Sequence, residues 1–275
     1  MVTRIMAVGP GRLNEAACAL SFDHNFVQPI DRTYIIAPFG REFFVAISEK
    51  LEIDINRIEF VQDQDLIDSA KLHKWAHNTW YLQQALKLTL LDQLNSNEFL
   101  IQDCDVFPIR PYCLFEKNIP NLRVEQVLND QQPIRLQQAI YETHVNKITG
   151  LSRPGNLTFV SEIMPITKSI WLACKETIQN RLGVRWQEAI PDINDFDDTK
   201  WFSEYEMLGF YMLHNIPNIT YEYDIHPIIN SWEDFYSGDW SQTTIAKTGK
   251  FRPLKFMNFE EVIQVLEYFR SNILS

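Results

Sequence analysis

Short apolar runs alternate with longer amphipathic stretches through the first third of the chain. Residues 4–8 (RIMAV), 32–38 (RTYIIAP), 57–61 (RIEFV) and 99–101 (FLI) are compact runs of the length a buried strand takes. Between them, residues 14–23, 40–51 and 78–94 carry helical spacing. Asn14 is a candidate cap for the first, and Phe43, Phe44 and Ile47 mark the inner side of the second. The third has two faces. At about 100° per residue, Leu82, Ala85, Leu86, Thr89 and Leu90 fall on the side predicted to pack on a sheet. Trp80, Gln84 and Lys87 fall on the other. Gly9-Pro10-Gly11 breaks the first run, and polar residues 62–68 read as a loop. Strands alternating with helices predict a parallel sheet with right-handed crossovers.

The second half is more broken. Residues 121–127 suit a strand and 133–149 a helix, followed by a loop over 150–155. Residues 157–164 alternate as a strand that Pro165 should end, with Glu162 near its close. A helix over 167–182 is stopped by Gly183. Asp197, Asp198 and Thr199 are candidate caps for a helix whose core stripe is Trp201, Tyr205, Leu208 and Met212. Residues 221–225 suit an edge strand, and 258–274 a last helix opened by Asn258 and Glu261. No internal repeat is present. The pattern predicts an α/β fold, with a mixed, mostly parallel, Rossmann-like sheet flanked by helices in a single large domain. Residues 1–230 would form its body, and 231–275 a C-terminal loop and helix packed on the same domain.

Composition narrows the partners. A 275-residue chain with 45% hydrophobic and 13% aromatic residues can bury a sizeable core. Its net charge of −11, without a basic tract, argues against nonspecific nucleic-acid binding. Cys18, Cys104, Cys113 and Cys174 lack metal or redox spacing and read as reduced thiols. No stretch reaches the roughly 18 apolar residues of a membrane span, and the expected location is cytoplasmic. One basic cluster, Lys247, Lys250, Arg252 and Lys255, lies where a loop could close over a diphosphate or simply be solvated.

The chemistry concentrates where the fourth apolar run ends on Asp103-Cys104-Asp105. A carboxylate buried without a partner costs several kcal/mol or takes up a proton, so such a pair calls for solvent, a basic partner or a cation. In an extended segment residues i and i+2 share a side, so Asp103 and Asp105 can converge on Mg2+ or Mn2+; a solvated turn is the plainer alternative. In open α/β sheets the carboxyl ends of the strands also line the ligand crevice. Trp80, Gln84 and Lys87 would offer a stacking surface, an amide and a positive charge beside a phosphate, or form a solvated or loop-covered face. Glu204 and Glu206 interrupt an aromatic segment and, on a helix, point about 200° apart.

The run FLIQDCDVFPIRP, behind a helix carrying WYLQQALKL and ahead of Ser203-Glu204-Tyr205-Glu206, resembles nucleotide-sugar-dependent glycosyltransferases of the GT-A fold. The resemblance implies a metal-dependent transfer from a nucleoside-diphosphate sugar to a sugar or glycan acceptor. Asp105 would hold Mn2+ or Mg2+, with Asp103 sharing it or facing the ribose, and His226 would be a further ligand. Arg12 would line the nucleotide pocket. Glu204 or Glu206 would meet the acceptor, with Glu204 chosen because it lies four residues before core Leu208, and Glu162 is the next carboxylate in line. Two other readings stand beside this one. A sugar nucleotidyltransferase uses similar groups, although Gly9-Pro10-Gly11-Arg12 is a poor match to its usual start. The other is an inactive protein that binds nucleotide or carbohydrate.

Overall fold

The computed structural model describes residues 1–9, 11–37, 41–68, 79–108, 110–126, 132–160, 162–193, 202–223, 228–229 and 248–251, together with residues 260, 261, 263, 264 and 267. The cap at 197–199, His226, the side chain of Ile47 and most of 258–274 lie outside these.

The central sheet has the order β3-β2-β1-β4-β9. Its parallel part is β1 (Val2–Ala7), β2 (Ile30–Ile36), β3 (Ile58–Val61) and β4 (Glu98–Gln102). At the edge β9 (Ile163–Thr167) runs antiparallel to β4, with Gln102 opposite Ile163 and Leu100 opposite Pro165. Pro165 therefore lies inside a strand rather than ending one. An edge strand has one neighbour only, so a missing N–H can face away from the ladder. The run at 157–164 is split, with β8 (Leu157–Thr158) pairing elsewhere and Glu162 in the connection to β9.

Strand pleating divides the core into two layers. Ile5, Ala7, Ile36, Phe99 and Ile101 point into one, and Met6, Val8, Ile35 and Ala37 into the other. The first layer is covered by α4 (Thr79–Gln93), α6 (Lys168–Leu182), α7 (Trp186–Ile193) and α8 (Glu204–Asn215), and includes Val145 and Ile148 of α5 (Gln132–Thr149). The second is covered by α1 (Leu13–Ser21) and α2 (Arg41–Leu51), with Phe44 fully buried. A single turn, α3 (Asp63–Leu66), forms in the polar segment expected to be a loop. Thr167 caps α6 through Ile170 N, and Gly183 closes it in the left-handed region. Among the described residues no helix is long and apolar enough to cross a membrane.

Two smaller sheets complete the fold. One carries β10 (Thr220–Tyr223), β7 (Ile119–Gln126) and β6 (Phe115–Glu116), with β8 joined to β7. The other carries β11 (Ile228–Ile229), β12 (Thr248–Phe251) and β5 (Val106–Pro108), with Lys250 opposite Val106. The C-terminal strand thus pairs with the strand that leaves the acidic turn.

Helix α8 is buried on every side from Glu204 to Met212, because Gly209 lets it approach the 157–160 segment closely. A Cβ on Gly209 would lie 2.1 Å from Phe159 Cγ. Gly209→Ala is expected to cost about 1–3 kcal/mol, the usual range for overpacking a core. A lowered denaturation midpoint would show it; an unchanged midpoint would mean that Phe159 shifts aside freely.

Candidate active site

The strand order places the site. β1 is flanked by β2 on one side and β4 on the other, so the chain switches direction of crossover there, and the carboxyl ends of β1 and β4 are where an open α/β sheet forms its ligand crevice. The turn after β1 is closed by Arg12 N donating to Gly9 O at 3.1 Å, with Gly11 at φ +76°, where a side chain would be strained. This delivers Arg12 to the crevice with 37% of its side chain exposed. Its Nη1 donates to Asp105 Oδ2 and to Glu15 Oε1, both at 3.1 Å. Glu15 is buried, and its second oxygen has no hydrogen-bond partner among the described residues. Burial raises its pKa, against the pull of Arg12.

After β4 the chain does not stay extended. Cys104 and Asp105 form a turn, with Cys104 buried in the layer under α1. Asp103 N donates to Glu162 O at 2.9 Å, and Glu162 sits at φ 60° in the left-handed region, which is uncommon for a residue with a side chain. One carboxylate oxygen from each of Asp103, Asp105 and Glu162 lies within 4.8 Å of the other two. Convergence comes from the turn and from the left-handed residue just before β9, not from strand alternation, and it takes in Glu162, which the sequence offered only as a reserve base.

Beneath Asp103 lies a buried charge network. Lys87, with 2% of its side chain exposed, donates to Asp103 Oδ1 at 2.6 Å and to the Tyr205 hydroxyl at 3.2 Å. The Tyr205 hydroxyl in turn donates to Asp103 Oδ1 at 2.8 Å. Lys87 Nζ also forms an ion pair with Glu204 Oε1 at 2.5 Å. Glu204 Oε2 is buried with no hydrogen-bond partner among the described residues. Burial opposes the Lys87 charge, but Asp103 and Glu204 outweigh it and raise its pKa. Burial raises that of Glu204, which Lys87 opposes and Asp103 reinforces. Tyr205, expected only as a core residue, is thus a donor to the acidic turn; its hydroxyl between two glutamates was the available signal.

Of the Trp80, Gln84 and Lys87 stripe, Gln84 and Lys87 are buried and Trp80 is partly exposed. Trp80 Nε1 donates to Phe202 O at 3.0 Å, and Gln84 Oε1 accepts from Glu204 N at 2.9 Å. The stripe is the seam between α4 and the start of α8. Glu204 and Glu206 do part, as their spacing requires, but both are fully buried. Glu206 accepts from Thr158 Oγ1 at 2.6 Å, from Phe159 N at 3.3 Å and from Arg153 Nη1 at 3.3 Å. Both of its oxygens are engaged, and it ties the 153–159 segment to α8. His226 lies outside the described residues.

A family of unknown function (DUF6492) matches residues 17–222. The chain belongs to this family. The DUF6492 region takes in Lys87, Asp103, Asp105, Glu162 and Glu204, whereas Arg12 and Glu15 precede it. None of the curated proteins matches the sequence. Among solved structures, an active-site mutant of the galactosyltransferase LgtC is 12% identical with a TM-score of 0.51, covering 100% of this chain and 97% of that one. The glycosyltransferase GlyE of Streptococcus pneumoniae TIGR4 is 11% identical with a TM-score of 0.46, covering 98% of this chain and 64% of that one. An inositol-1-phosphate CTP transferase from T. maritima is 8% identical with a TM-score of 0.40, covering 99% and 97%. The likeness to LgtC shows that the fold of this DUF6492 chain is GT-A-like.

Proposed function

We propose that the chain is a metal-dependent glycosyltransferase that moves a sugar from a nucleoside-diphosphate sugar to an acceptor hydroxyl. The observation that carries this reading is the meeting of Asp103, Asp105 and Glu162 at the crevice between β1 and β4, with Arg12 beside them. Three hard oxygen donors suit Mn2+ or Mg2+, ions that typically link protein carboxylates to substrate phosphates. Among the described residues Arg12 pairs with Asp105 and Lys87 with Asp103, so the acids are held in place where a divalent ion and a phosphate would meet. Such an ion would be held by Asp103, Asp105 and Glu162 and would supply neutralisation of the leaving diphosphate.

The chain's own groups have distinct parts in this reading. Arg12, half-exposed and oriented by Glu15, presents a planar donor fork that suits phosphate oxygens. Lys87 and Tyr205 fix the orientation of Asp103 from below. Glu204, fully buried against Lys87, holds that lysine in place rather than meeting an acceptor.

A second reading, a nucleotide- or carbohydrate-binding protein without turnover, draws on the ion pairs of Asp105 with Arg12 and Asp103 with Lys87. Both carboxylates already have protein cations. A thermal-shift panel of UDP, GDP and their sugars, each with and without Mn2+, separates the two. Stabilisation by nucleotide that requires Mn2+, with slow release of free sugar, is the expected result. Metal-independent stabilisation without release favours the binding protein. No shift with any of these ligands would overturn both.

A further inference from the structure

On the sheet face away from Lys87, two fully buried polar residues, Arg4 and Gln102, form a bridge that the reading above does not use. Arg4 lies opposite Leu100, and Gln102 is two residues further along β4, hence on the same face. A buried guanidinium and a buried amide are costly unless each finds partners. Arg4 forks onto Asp23, with Nη1 to Oδ1 at 2.5 Å and Nη2 to Oδ2 at 2.8 Å, and also donates to Thr33 Oγ1. Its Nη1 lies 3.4 Å from Gln102 Oε1, which fixes which way the amide faces. Gln102 Nε2 then donates to Val106 O at 2.6 Å.

That last bond spans the acidic turn. The turn's own backbone contact, Val106 N to Asp103 O, is long at 3.4 Å, so the side-chain amide supplies the shorter closure. The strand that follows is held by the same segment that holds Arg4. Phe22 stacks on Phe107 at 4.8 Å between ring centroids, and Asn25 Nδ2 donates to Pro108 O at 2.9 Å. Residues 22–25 therefore grip both the bridge and the exit of the turn.

We propose that Gln102 is a positioning residue for the carboxylate site: its amide, oriented by Arg4 and Asp23, sets the spacing of Asp103 and Asp105 by closing the turn between them. The proposal rests on the metal-site reading of these carboxylates, and its test separates the two. Partners behind a ligand set typically change metal affinity by about 10–100-fold when removed.

The probe is Mn2+ alone, titrated into the full chain and followed by electron paramagnetic resonance, with amide hydrogen exchange of residues 103–106 measured without metal. Gln102→Leu should weaken Mn2+ by at least about tenfold and speed exchange in the turn. Thr33→Val removes a partner of the same arginine on the side away from the turn, and should leave both readouts near wild type while lowering overall stability. Gln102→Glu covers the case in which Gln102→Leu does not fold. It keeps length and an acceptor for Arg4 but cannot donate to Val106 O. Its added negative charge should attract a cation, so weaker Mn2+ binding would report lost geometry. Wild-type Mn2+ affinity in a folded Gln102 variant, or unchanged exchange in the turn, overturns the proposal. Absence of Mn2+ binding by the wild-type chain overturns the metal-site reading itself.

Discussion

Asp105→Asn is expected to abolish Mn2+-dependent nucleotide binding and to lower sugar transfer by about 10²-fold or more, on the scale of losing one preorganised electrostatic group. The substitution keeps the side chain's shape and removes one charge from three convergent carboxylates. The fold should survive, since Arg12 retains its second partner, Glu15, and Asp105 lies at a turn beyond the end of β4. Metal-free binding should move the other way. With Asp105 neutral, the Arg12 guanidinium pairs with one carboxylate, Glu15, instead of two, and one negative charge facing the phosphates is gone. Calorimetric titration of UDP and GDP with and without Mn2+ reads both effects. A folded Asp105→Asn protein that keeps its metal-dependent affinity would remove Asp105 from the site.

Lys87→Met is expected to be the most destabilising single change at the site, by about 3–5 kcal/mol, the cost of breaking a buried ion pair from one side. Methionine fills most of the lysine's volume, so the loss is chiefly electrostatic. Asp103 and Glu204 would face each other with no cation between them. The loss should also depend on pH. Burial already raises the folded-state pKa of Glu204, and removing Lys87 takes away the group that opposed it. A carboxyl whose pKa is higher folded than unfolded binds more protons in the native state, so stability falls as pH rises above the unfolded value of about 4.3. The variant should therefore be more stable at pH 5 than at pH 8. Adding Glu204→Gln should recover part of the loss, because it removes the charge left unpaired. Denaturant unfolding of the single and double variants at both pH values measures this. A cost below about 1 kcal/mol would mean that solvent reaches the network.

How much of this was legible depends on how far apart the partners lie in the chain. The end of β4 could be placed because Phe99, Leu100 and Ile101 form an unbroken apolar run stopped by charge, a local pattern. The seam between α4 and α8 could not. Lys87 on its helix looks like any lysine opposite an apolar face, and its partner Glu204 is 117 positions away (204 minus 87). Both helices are buried on faces that local spacing assigned to the outside, since each packs against two neighbours rather than one. Glu162 was misplaced for another reason: alternation ran through it, whereas the backbone there is left-handed and the strand restarts at Ile163. Pro165 reads as a stop unless the strand is known to be an edge, which is a property of the sheet and not of the segment.

The pairing of β12 with β5 has a consequence for how the protein is made. Val106–Pro108 emerges from the ribosome with the rest of the acidic turn, but its partner at residues 248–251 is synthesised 144 positions later (250 minus 106). At about 5–20 residues per second, that interval lasts on the order of ten seconds. For that time one side of Val106 and Phe107 is an open strand edge, able to pair with a neighbouring nascent chain, with Pro108 blunting its end. A chain that stops short of Thr248 carries the open edge permanently.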